Sequence, residues 1–142
     1  MKTKTNDIIS IISRIRQKTN NLIVSELSRK GIQGIVVSHG DILYALFRKE
    51  RMTMAEIADR IGKDKSTVTT LVNKLVNLDY VIKERAAEDT RIIYVNLTPL
   101  GKELEPLFIE VSNRVLEVFY TDVSEQEKLE LLRILSKIDR NL

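Results

Sequence analysis

The residues in this chain with the clearest capacity for chemistry form a stripe of short hydrogen-bonding side chains. Ser66, Thr69, Thr70 and Asn73 recur at the spacing of one helix face, with Thr67 between them and Lys65 and Lys74 beside them. Hydroxyls and a carboxamide both donate and accept. Projected together from one side of a helix, they suit the major groove of DNA, where each base pair shows its own donor and acceptor pattern. The flanking ammonium groups suit the phosphates at the groove's margins. A merely solvated helix face has a similar composition, so the stripe acquires meaning only from the elements around it.

Other chemistry is poorly provided for. The chain has no cysteine and a single histidine, His39. Disulfides, thiolate metal sites and cysteine redox switches are thereby excluded, and most zinc arrangements with them. The five glycines are scattered and form no phosphate-binding loop. Ser38 and His39 are neighbours in sequence, whereas a nucleophile and its base must meet side chain to side chain. The expectation is a binding protein and not an enzyme, with no metal and no cofactor. The 142 residues, 43% of them hydrophobic, can supply a real core. Basic residues number 23 against 20 acidic, and the net charge of +3 is compatible with a nucleic-acid partner without demanding one. No apolar run approaches the ~18 residues of a membrane helix, and the amino terminus lacks a secretory signal's apolar block. A cytoplasmic location and no membrane partner are expected.

The stripe's opposite side is apolar. Val68, Leu71, Val72 and Leu75 repeat at helical spacing and predict a helix buried along that side. A shorter helix precedes it. Thr53 followed by Glu56 is a capping box, and Ile57, Ala58 and Ile61 make an inner face, with Ala58 small where two helices cross closely. Gly62 can take the left-handed conformation that ends a helix, and Asp64 caps the next one. Residues 52–80 therefore read as a helix-turn-helix. In residues 81–97, Ile93, Val95 and Leu97 alternate with Ile92, Tyr94 and Asn96, and 81–85 can pair with them antiparallel. The hairpin's tip, 86–90, carries Glu88 and Asp89, with Arg85 and Arg91 at its shoulders. A hairpin directly after such a helix is a wing, whose tip can reach the sugar-phosphate backbone or the minor groove.

Around this centre the chain reads as helical. Residues 6–30 carry Ile8, Ile9, Ile11, Ile12, Ile15, Leu22, Ile23 and Leu27 on more than one stripe, as expected of a helix covered on two sides. Gly31 ends it and Gly34 permits a second bend. Ser38 with Asp41 reads as the cap of a further helix, which bears Ile42, Leu43, Leu46 and Phe47 and closes with Arg48, Lys49 and Arg51. His39, in its first turn, reads as a packing or hydrogen-bonding residue before a ligand contact. Thr98 and Pro99 open a helix that should reach about Tyr120, with a kink at Pro106. Ser124 and Glu127 box a last helix whose stripe is Leu129, Leu132, Leu135 and Ile138. These three terminal helices offer more apolar surface than one small chain can hide, and a two-fold homodimer would bury it.

The order of helices around a wing, with IADRIGKDKSTVTTLVNKLVNLDYV and then ERAAEDTRIIYVNLTPLG, resembles the MarR family of bacterial transcription regulators. Asp89, Arg91, Val95, Leu97, Thr98 and Gly101 match that family's D-x-R-x-x-x-V-x-L-T-x-x-G wing motif position by position. One departure is Thr90, which stands where many members carry a further basic residue. The resemblance implies a mainly α fold with a small β-hairpin, a winged helix-turn-helix flanked by N- and C-terminal dimerisation helices. The implied segments are 1–37, an N-terminal dimerisation helix and connector; 38–97, the winged domain; and 98–142, the C-terminal dimerisation helices.

It further implies a sequence-specific binder of double-stranded DNA at a roughly palindromic operator, acting as a dimeric repressor released by a small aromatic or phenolic effector. Lys65, Ser66, Thr67, Thr69, Thr70, Asn73, Lys74 and Arg85 are the DNA-binding candidates, and Asp89 and Arg91 take the wing roles. His39 and Tyr44 are candidates for polar contacts to an effector bound where the first helix, the helix starting near Ser38 and the winged domain meet. Without cysteine, the thiol-sensing route of some members is closed. The competing reading is a winged-helix module that binds protein and not DNA, which Lys65, Lys74, Arg85 and Arg91 argue against.

Overall fold

Four short polar side chains open helices here by accepting the backbone N–H three residues on. Thr53 accepts from Glu56 at 3.0 Å, Asp64 from Thr67 at 2.7 Å, Thr98 from Gly101 at 2.9 Å and Ser124 from Glu127 at 3.1 Å. Each satisfies a donor that has no partner inside the helix, and so fixes where the helix starts. The computed structural model describes residues 4–142, so the first three residues of the expected 1–37 segment lie outside it. After a 3-10 turn at Thr5–Asp7, the chain runs α1 (Ile8–Arg29), α2 (Val37–Arg48), β1 (Arg51–Thr53), α3 (Met54–Ile61) and α4 (Lys65–Asn77). It continues through β2 (Val81–Arg85), β3 (Ile93–Leu97), α5 (Pro99–Lys102), α6 (Leu104–Phe119) and α7 (Glu125–Arg140).

The winged helix-turn-helix is present, and its sheet holds one strand more than the expected hairpin. Strand order is β1-β3-β2, with β3 antiparallel to both neighbours. Val95 faces Met52 on one side and Lys83 on the other, and Val81 faces Leu97. Arg51 therefore belongs to β1 and does not close α2, which ends at Arg48. Val81, Val95, Ile42, Leu43, Leu46, Ile57, Val68, Val72 and Leu75 are fully buried and form the centre of the core.

Two helix starts differ from expectation. α2 begins two residues earlier than the Ser38–Asp41 pair implies, with Val36 at its N-cap, because the Val36 N–H donates to His39 Nδ1 at 2.9 Å. An imidazole here does the work of the expected carboxylate, while the Val36 carbonyl, and no hydroxyl, accepts the His39 N–H at 3.0 Å. The helix after Thr98 is broken at Glu103, three residues before the expected kink, and Pro106 lies in the first turn of α6. Proline cannot donate to the carbonyl four residues back, and its ring crowds that carbonyl. The residue four back is Lys102, the last of α5.

The terminal helices bury little within one chain. α1 packs along α6, yet only Glu26 and Leu27 of α1 are buried, and Ile9 is 73% exposed. α7 buries no residue at all, and Leu129 is 64% exposed.

Candidate nucleic-acid interface

α3 and α4 meet at Gly62, whose φ of 67° and ψ of 37° are the left-handed values a side chain disfavours. The Lys63 N–H returns to the Ala58 carbonyl at 3.1 Å and closes the turn. Ile57, Val68, Val72 and Leu75 then pin both helices to the core, which turns the other side of α4 to solvent. Lys65, Ser66, Thr69, Thr70 and Asn73 all lie exposed on that side, while Thr67 is half-buried behind the Asp64 cap.

The threonine hydroxyl protons of this face are already committed. Thr69 donates to the Lys65 carbonyl at 2.8 Å and Thr70 to the Ser66 carbonyl at 3.2 Å. Each oxygen is left as an acceptor, with a methyl group beside it. That combination suits the amino groups of adenine or cytosine and the thymine methyl. Asn73 differs, because its Oδ1 accepts from Lys83 Nζ at 2.7 Å. Ammonium can only donate, so the carbonyl end of Asn73 is held against β2 and the NH2 end is free for an acceptor. Lys83 was not among the residues singled out from sequence. Its position on an exposed strand gave no periodic signal, and only the α4–β2 packing brings it to Asn73. Lys74 turns the other way, since its Cε and Nζ lie 3.5 Å from where a Cβ on Gly34 would stand, over the α1–α2 connector.

At the wing, three bonds gather Arg91 onto Asp89. The backbone N–H and Nε reach Oδ1 at 3.0 and 3.1 Å, and Nη2 reaches Oδ2 at 3.0 Å. The Arg91 hydrogen bonds hold the Asp89 carboxyl below the usual carboxylate range, and the same side-chain contact raises the arginine. The Arg91 side chain remains 89% exposed against 31% for Asp89, so the aspartate orients the guanidinium without covering it. Arg85 is spent differently, donating to the Thr90 carbonyl at 2.7 Å across the wing loop. Ala86 is buried, and its N–H closes the loop on the Ile92 carbonyl at 2.9 Å. Between the start of α4 and the wing runs a cleft of about 460 Å³, lined by Lys65 and Thr69 of α4, by Arg91 and Ile93 of the wing, and by Thr53, the last residue of β1, with Met54, the first of α3.

The remaining motif residues are scaffold. Val95 and Leu97 are buried, Thr98 caps α5, and a Cβ on Gly101 would fall on the Tyr80 carbonyl oxygen, well inside van der Waals contact. That carbonyl receives the Thr98 N–H at 3.0 Å, so Gly101 lets α5 sit directly on the end of the helix-turn-helix.

A second cavity, about 270 Å³, lies between α1, α2 and α6. Tyr44 lines it, donating its hydroxyl proton to the Phe108 carbonyl at 3.0 Å with Ser112 Oγ at 3.1 Å. Phe47 and Phe108 pack around the Tyr44 ring at centroid distances of 5.9 and 5.4 Å. His39 is outside the cavity lining, buried and occupied with the Val36 N–H. Burial, and then the charge of Lys74, hold its pKa below the usual histidine value.

Residues 30–92 match the sequence model of the MarR family. The transcriptional regulator SarZ of Staphylococcus aureus is 30% identical over 91 residues, covering 64% of this chain. The match spans 60% of that relative's own length. Among solved structures, a MarR transcriptional regulator from Methanosarcina mazei superposes with a TM-score of 0.82 at 24% identity, covering 96% of each chain. MepR of S. aureus, solved in complex with DNA, superposes with a TM-score of 0.82 at 20% identity, covering 99% of this chain and all of that one. At these identities the structural likeness establishes the fold.

Proposed function

We propose that this chain, whose residues 30–92 match the sequence model of the MarR family, is a member of that family and a transcriptional regulator that binds double-stranded DNA in a sequence-specific way, as a homodimer on a roughly palindromic operator. The observation that carries the reading is the joint exposure of the α4 face and the Arg91 guanidinium, with Lys65 and Thr69 of that face lining one cleft with Arg91. In this reading, Ser66, Thr69, Thr70 and Asn73 read base edges in the major groove, and Lys65 meets phosphate. Arg91, aimed by Asp89, enters the minor groove or lies against the backbone. Lys74 and Arg85 become supporting residues, since the first lies over the connector and the second braces the wing loop. MepR, whose fold this chain shares, was solved in complex with DNA, which supports the same use of the fold here.

The segments follow the same division: residues 38–97 bind DNA, and 1–37 with 98–142 join two copies. Support comes from the apolar residues of α1 and α7 that one chain leaves in water, Ile9, Ile12, Leu129 and Leu132 among them. In this reading the protein acts in the cytoplasm as a repressor. A small effector enters the cavity between α1, α2 and α6 and shifts the two winged domains out of register with their half-sites. Tyr44 is placed to contact such an effector, and His39 acts on the cavity only by fixing the start of α2.

A salt-dependent mobility shift, first on a random duplex pool and then on the selected site, tests the proposal. Half-sites about one helical turn apart, ~10 bp or slightly more, are expected. A selected site with no two-fold symmetry, or binding that ignores salt, would overturn it.

A further inference from the structure

Resting on the effector role just given to the cavity between α1, α2 and α6, we propose that its ligand is an amphipathic organic cation: an apolar, ring-sized body bearing one protonated amine. The walls are built from Ile23 and Leu27 of α1, Val37 of α2, and Phe108 and Val115 of α6, and they ask for an apolar body. Of the residues that line the cavity, Asp41 alone is charged, and no lysine, arginine or histidine is among them. Asp41 makes no ion pair among the described residues. Arg16 and Lys63 act on it through space, yet partial burial outweighs them and pushes its carboxyl above the usual carboxylate range. Asp41 is exposed and also lines a polar pocket with Arg48 and Arg60, yet it pairs with neither, and a cation seated in the apolar cavity would meet its carboxylate from the side that has no protein cation.

The neutral polar groups point the same way. The Tyr44 hydroxyl proton is already directed at the Phe108 carbonyl and Ser112, which leaves the phenol oxygen as an acceptor. An aromatic acid would bring a second carboxylate against Asp41, with no cation on the walls to receive it. A protonated amine meets Asp41 as a charge-assisted partner and Tyr44 as an acceptor.

The test uses the full-length protein and three probes that share one ring: benzylamine, benzyl alcohol and benzoate. Binding is measured by titration calorimetry at neutral pH, and release of the selected duplex is followed in parallel. Benzylamine should bind about five- to tenfold more tightly than benzoate, the size expected of one partly desolvated ion pair. Asp41→Asn should bring the two within about twofold, and Asp41→Glu, which keeps the charge and serves if the first variant melts early, should restore the preference. Equal or tighter binding of benzoate, an unchanged preference in Asp41→Asn, or no binding of benzylamine at millimolar concentration would each overturn the ligand class. Release of DNA by benzoate would leave the effector reading standing without the cation. Asp41-dependent binding of benzylamine that never releases DNA would uphold the cation and sink the effector reading.

Discussion

Removing the wing cation is the sharpest probe of how the two DNA-contacting elements divide their work. Among the described residues, the Arg91 side chain bonds only Asp89, and it is 89% exposed, so Arg91→Ala removes no core contact. Its melting temperature should stay within about 2 °C of the parent. On DNA the loss is electrostatic. A phosphate contact adds about 0.9 to the slope of log affinity against log salt, and near 0.15 M salt this amounts to roughly 0.7 log units of affinity. Two wings per dimer then lose about 30-fold in affinity and flatten the slope by nearly two, on matched and scrambled duplexes alike. Asp89→Ala should fall short of this. It frees the guanidinium to swing but leaves its charge, and it takes away an anion that faces the phosphates. Its slope should match the parent, with an affinity loss of less than about fivefold. Thr69→Ala or Thr70→Ala should instead relax preference at a limited set of base pairs while leaving the slope alone. The assay is fluorescence anisotropy on both duplexes at four or five salt concentrations. An Arg91→Ala protein with unchanged affinity and slope on both duplexes would remove the wing from the interface and refute the reasoning.

Gly101→Ala should cost about 2–3 kcal/mol, because the new Cβ must displace the Tyr80 carbonyl or the α5 backbone, and denaturant melts would show it. Full stability in that variant would mean that α5 does not sit where it is described. His39 has a folded pKa below its unfolded value of 6.5, so the unfolded chain takes up the proton more readily. The associated stability is complete above about pH 6.5 and declines as pH falls below it. Melting of the parent should therefore drop between pH 7.5 and 5.5 (~2 units), and His39→Asn, which can still accept the Val36 N–H, should be flatter across that window. Equal slopes would remove His39 as the source. Leu132→Glu puts a charge into the exposed α7 stripe, where Leu132 is 53% exposed in one chain. Light scattering should then report monomers and tight operator binding should be lost, whereas a dimer of unchanged affinity would exclude α7 from the dimer interface.

Much of this architecture was legible in the sequence because the forces that specify it act within a few residues. Thr53, Asp64, Thr98 and Ser124 satisfy donors three residues away, and Val68, Val72 and Leu75 share a face through helical spacing alone. The helices, the turn at Gly62 and the outward direction of Ser66, Thr69, Thr70 and Asn73 follow from such local rules. What the sequence left open depends on groups that meet only after the chain has folded. β1 is three residues long and carries no alternation of its own, so it exists as a strand only because β3 lies beside it. The α2 cap was assigned to Ser38 and Asp41 because those residue types usually serve, but the imidazole of His39 reaches the Val36 N–H in the bend that follows Gly34. The break at Glu103 was misplaced to Pro106 itself, although proline acts on the carbonyl four residues behind it. The directions of Lys74 and Arg85, the Lys83 hold on Asn73 and the placement of Asp41 beside an apolar cavity are tertiary decisions. A long polar side chain has several rotamers of similar energy, and only a partner brought from elsewhere in the chain selects among them.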